Sequence, residues 1–114
     1  MYKILNQESE TVAYIQNMMI LNKKREKVIG LVIGDCFFGN DTKVIGKIID
    51  QKVYLLNGEI IGIIEANKDK KDPELKKGLM LEAWEILSNI KSHTSDWITI
   101  SKKWSKKSLI EVLQ

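Results

Sequence analysis

Four phrases of nearly equal length follow one another along residues 2–67, and this repetition restricts the fold more than any other feature of the chain. They are Tyr2–Asn17, Met18–Asp35, Cys36–Gln51 and Lys52–Asn67, with lengths of 16, 18, 16 and 16 residues. Each opens on an apolar pair: Ile4-Leu5, Ile20-Leu21, Phe37-Phe38 and Tyr54-Leu55. Each then turns through polar residues, at Asn6–Thr11, Asn22–Lys27, Gly39–Lys43 and Asn57–Glu59. Each closes on a β-branched residue, a small one and an apolar run: Val12-Ala13-Tyr14-Ile15, Ile29-Gly30-Leu31-Val32, Ile45-Gly46-Lys47-Ile48 and Ile61-Gly62-Ile63-Ile64. The small residue recurs at 13, 30, 46 and 62.

Such a phrase has the physics of a β-hairpin. Ile, Val, Tyr and Phe suit a pleated, half-buried surface. Asn57-Gly58 is a strong hairpin signal, because a type I′ turn needs positive φ at both central residues. Asn17, Gly34-Asp35 and Asp50-Gln51 stand where phrases join, so a second tight turn is expected at each joint. The recurring small residue marks a place where a side chain would collide with a neighbouring backbone or ring. One hairpin cannot bury its own apolar face, but four around an axis can share one. The expected class is α+β: four pseudo-symmetric hairpins, eight short strands in all, followed by a helical segment.

In these phrases the chain resembles the four-fold beta flower domain, a family of small bacterial proteins with four hairpin petals around a central axis. The resemblance covers about residues 2–67. Ile20-Leu21-Asn22, Ile45-Gly46-Lys47-Ile48 and Leu55–Gly62 lie closest to the pattern, and the second phrase departs from it by two extra residues. The resemblance implies the fold, and no activity, cofactor or catalytic residue.

Beyond the repeats the composition changes. Residues 1–67 carry eight basic and eight acidic side chains, whereas 68–114 carry ten and seven, so the net charge of +3 belongs to the second part. We therefore divide the chain into a hairpin region, 1–67, and a helical segment, 68–114, packed on it. Asp72-Pro73-Glu74 is a helix start, with an N-cap, proline at the first helical position and an acid in the first turn. Leu75, Leu79, Ala83, Ile86 and Ile90 recur at helical spacing, which predicts a helix over 73–91 laid across the open face of the hairpins. Met80 and Trp84 lie one turn apart on its flank, as core or as a sticky edge. Trp97–Ile100 reads as extended, and Leu109, Ile110, Val112 and Leu113 predict a final short helix. Between them, Lys102, Lys103, Trp104, Lys106 and Lys107 form the densest charge of the chain. They are candidate contacts for nucleic acid or an anionic surface, or else a solvated face with Trp104 in the core.

Motifs for chemistry are missing from the sequence. There is no phosphate loop, His-Glu-x-x-His, Gly-x-Ser-x-Gly or Cys-x-x-Cys. With one His and one Cys, no Cys/His zinc set can be assembled within one chain without carboxylates. Cys36 and His93 are the remaining candidates for a nucleophile and its base, but Cys36 stands beside two phenylalanines, where an inert buried thiol is expected. A single Cys, no signal-peptide pattern and no long apolar run lead to an expected cytoplasmic location. The favoured reading is a non-catalytic binding or assembly module without a cofactor. Its partner is a protein or a second copy, met through the hairpin loops Asn6–Thr11, Asn22–Lys27, Gly39–Lys43 and Asn57–Glu59 and the mouth of the axis, with Met80, Trp84 and Trp97 as further candidate contacts if exposed. Nucleic-acid binding by the lysine segment is the alternative, and an enzyme using Cys36 comes third.

Overall fold

In the computed structural model, which describes residues 1–39, 44–66, 77–90 and 98–113, the β-branched and aromatic runs take the extended form. Eight strands result: β1 (Tyr2–Leu5), β2 (Thr11–Gln16), β3 (Met19–Leu21), β4 (Val28–Ile33), β5 (Cys36–Phe38), β6 (Val44–Ile49), β7 (Lys52–Leu55) and β8 (Ile60–Ala66). Every strand pairs antiparallel with its sequence neighbour, and β8 returns to pair with β1, closing an eight-stranded barrel.

The register repeats four times. Ile4 faces Ala13, Ile20 faces Gly30, Phe37 faces Gly46 and Val53 faces Gly62. In each hairpin a register shift follows the first of these residues, at Ile4/Leu5, Ile20/Leu21, Phe37/Phe38 and Val53/Tyr54. The small residue is thus the partner of the residue at the bulge, where the strand bends and backbones approach. A Cβ on Gly46 would overlap the Tyr54 carbonyl oxygen and lie 2.6 Å from Phe37 Cε1. The fourth apolar pair is Val53-Tyr54, one residue earlier than Tyr54-Leu55, because pairing follows the bulge and not the polarity of the turn.

Turn types also differ from expectation. Asn57-Gly58 is not a type I′ turn: Gly58 has φ 90°, but Asn57 is not among the residues of positive φ. Leu55 accepts from the Gly58 N–H and donates to the Glu59 carbonyl, giving a three-residue loop closed by a left-handed residue. The first tip is built alike, with Ser9 in the left-handed position, while the second holds one residue more, between Asn22 and Lys27, with Arg25 left-handed; the Asn6 and Asn22 carboxamides accept backbone N–H groups. The double positive φ appears at two joints, Asn17-Met18 and Asp50-Gln51. At the third joint Gly34 alone has positive φ, at 62°.

Alternation along the strands sorts two apolar faces. Ile4, Ala13, Ile20, Phe37, Val53 and Ile61 form the core shared by all four hairpins, and Leu109 and Leu113 fill it. These leucines belong to α2 (Leu109–Leu113), opened by a capping box in which Ser108 and Glu111 exchange hydrogen bonds. On the opposite strand face, Met19, Leu21, Val28 and Leu31 pack with Leu79, Ala83, Ile86, Leu87 and Ile90. The last five line α1 (Lys77–Asn89) or follow it directly. The expectation that the long helix covers the shared core is therefore corrected. The short helix enters that core, and α1 covers the outer face of the second hairpin. A leucine at each end of little more than one helical turn suffices to fill a space that four hairpins have already narrowed. The expected start at Asp72-Pro73 lies outside the described residues, as does part of the loop Gly39–Lys43.

Residues 98–105 run beside the fourth hairpin. Ile60 donates to the Lys103 carbonyl at 2.8 Å, and Ser105 donates back to the Ile60 carbonyl at 2.7 Å. Ile98 and Trp104 pack on Tyr54 and Ile60.

Candidate functional site

Helix α1 has apolar residues on two sides, and only one meets the barrel. Leu79, Ala83, Ile86 and Leu87 pack inward, and the Glu82 carboxylate pins the helix by accepting the Val28 N–H at 3.1 Å. Met80, Leu81 and Trp84 stay in solvent. Where the helix runs beside β4 and the β2–β3 turn, a groove of about 200 Å³ remains. Met80, Ala83, Trp84 and Leu87 form its helical wall; Met18, Met19, Leu31 and Ile33 form the other. Asn17 is the sole polar lining residue. Met18 is held out over the groove by the left-handed turn it shares with Asn17, at φ 68° and 47°.

Two of the three expected protein-contact residues, Met80 and Trp84, thus meet at one surface. Trp97, the third, lies outside the described residues. Sequence reasoning missed Met18 and Ile33. Met18 carried a signal, since a large apolar residue in a joint between strands is out of place, but nothing in the spacing ties it to a helix that begins 59 residues later.

The lysine segment is differently arranged. Lys102, Lys103, Lys106 and Lys107 are exposed, and Lys103 Nζ lies 3.9 Å from a Glu59 carboxylate oxygen. Trp104 is half-buried, its ring spent partly on Tyr54, Ile60 and Ile98. Part of the positive charge is locally matched, and the aromatic face is partly covered.

Cys36 is buried, and its thiol donates to Asp35 Oδ1 at 3.5 Å. Its cross-strand partner is Lys47, whose residue is 7% exposed and whose Nζ lies 3.7 Å from Asp35 Oδ2. Asp35 is largely in solvent, so the Lys47 stem crosses apolar surface and its ammonium reaches the edge. Lys47 had been read as an ordinary member of its repeat. Tyr14 and Leu31, apolar or aromatic, hold the equivalent register positions in the first two hairpins. His93, the expected base for Cys36, lies outside the described residues. Among the described residues no group of three or more His, Cys, Asp or Glu is placed to hold a metal. Nor is any described helix long and apolar enough to cross a membrane.

Comparison with known proteins found no matching family model, curated protein or solved structure.

Proposed function

We propose that this chain is a non-catalytic binding module built on a four-fold beta flower, and that the groove beside α1 is its contact surface. One observation carries the reading: Met18, Met80 and Trp84, from a turn and a helix far apart in sequence, stand exposed around a single apolar groove. Large apolar side chains scattered singly over a surface are ordinary, whereas a contiguous set around a concavity is the form of a contact site. The groove's chemistry suits the apolar face of a protein partner. It offers little to a polar metabolite, since among its lining residues only the Asn17 carboxamide and the Trp84 indole N–H are strong hydrogen-bonding side-chain groups.

The test is capture by the tagged chain from lysate treated with nuclease. A stoichiometric protein retained by wild type and lost on Trp84→Ser supports the groove. Retention that vanishes with nuclease or moderate salt, and on replacing Lys102, Lys103, Lys106 and Lys107 by Gln, would transfer the function to the lysine segment. The exposed lysines favour that second reading; the Glu59 pairing and the partly covered Trp104 weaken it.

A further inference from the structure

We infer that the partner at this groove is a second copy of the chain, joined about a two-fold axis with α1 against α1 and Trp84 of each copy seated in the groove of the other. This rests on the groove being the contact surface.

Three observations point to self-pairing. First, α1 carries two apolar stripes. A helix lying on one barrel needs one, and a helix apolar on two sides is normally covered on both. Second, knob and hole adjoin on one surface: Trp84 protrudes beside the concavity bounded by Met18 and Ile33. A two-fold contact requires this, because one patch must serve as both partners. Third, the area fits. Met18, Met80, Leu81 and Trp84 are 59%, 48%, 58% and 64% exposed. Taking about 200 Å² for a fully exposed Met or Leu and about 250 Å² for Trp, they leave roughly 500 Å² of mostly apolar surface in water. A standard interface covers about 800 Å² per subunit, and in homodimers roughly 65% of it is apolar, or about 520 Å². Strand addition is closed to a partner, since every strand of the barrel already has two neighbours. Side-chain packing is the contact that remains.

The experiment is sedimentation equilibrium of the full chain from about 1 to about 200 μM, where mass action reveals a dimer. The expected result is twice the 13.1 kDa chain mass, with Trp84→Ser weakening association about 30-fold or more, the loss usual for a buried interfacial tryptophan. Met18→Asn, on the opposite wall, should weaken it too. Both positions are exposed and Asn tolerates the left-handed turn, so unchanged far-UV dichroism should accompany each variant. A chain monomeric throughout, or a dimer indifferent to both substitutions, overturns the inference. If a monomeric chain still captures a nuclease-resistant protein in a Trp84-dependent manner, self-pairing fails while the groove stands. If capture also ignores Trp84, both fail.

Discussion

At the scale of single residues, bulge geometry explains why glycine recurs. Gly46 lies against the Tyr54 carbonyl and the Phe37 ring, and neither can retreat because both belong to the closed ladder. Gly46→Ala should therefore cost about 3 kcal/mol in urea unfolding, the upper range for overpacking. Ala13, at the equivalent place in the first hairpin, already accommodates a methyl group, so Ala13→Gly should cost about 1 kcal/mol or less. Lys47 presents a different problem. Its pair with Asp35 holds a charge at the edge of an apolar surface, and such pairs are often replaceable by an apolar residue of similar volume. Lys47→Met should change stability by less than about 1 kcal/mol in the same assay. Recurrence at 13, 30, 46 and 62 was legible in the sequence because close approach excludes all but the smallest side chains. The burial of Lys47 was not, because a lysine's stem and its charge can lie in different surroundings.

At the scale of elements, the two helices divide labour in the reverse of what their lengths suggest. The five residues after Ser108 form barely more than one turn, yet Leu109 and Leu113 touch the core common to all four hairpins. Leu113→Ala should cost about 3 kcal/mol, as for other buried leucines, whereas Met80→Ala on the longer helix should cost less than about 0.5 kcal/mol. Thermal or urea denaturation of the pair distinguishes them. Helical spacing was enough to place Met80 and Trp84 on the flank of α1. It did not reveal which barrel face α1 would cover, since Leu79, Ala83 and Ile86 suit either one. The Asn57-Gly58 turn teaches a similar lesson: the dipeptide marks a reversal, but the Leu55 and Glu59 hydrogen bonds decide that three residues form the loop.

At the scale of the whole molecule, closure makes the hairpins mutually dependent. Each strand is paired on both sides, and the interior is one continuous cluster. Native-state hydrogen exchange should therefore show Ile4, Ile20, Phe37 and Val53 opening together at the global unfolding free energy, and a hairpin exchanging independently would contradict this. Alternating apolar residues and repeat length made a ring of hairpins readable. The groove was readable only in part, because its second wall arises where the second hairpin meets a helix distant in the chain.

The seam between β1 and β8 also has a consequence in time. Tyr2–Leu5 cannot obtain its second partner until Ile63–Ala66 has been synthesised. At about 5 to 20 residues per second, the roughly 60 intervening residues take about 3 to 12 s to leave the peptidyl-transferase centre. For that interval β1 is an open edge on a nascent chain, available to any neighbouring strand. The finished ring is protected from strand exchange, but its first strand is the last to be fully paired. Crowded polysomes, where nascent copies lie close together, are where this protein is most exposed to mispairing.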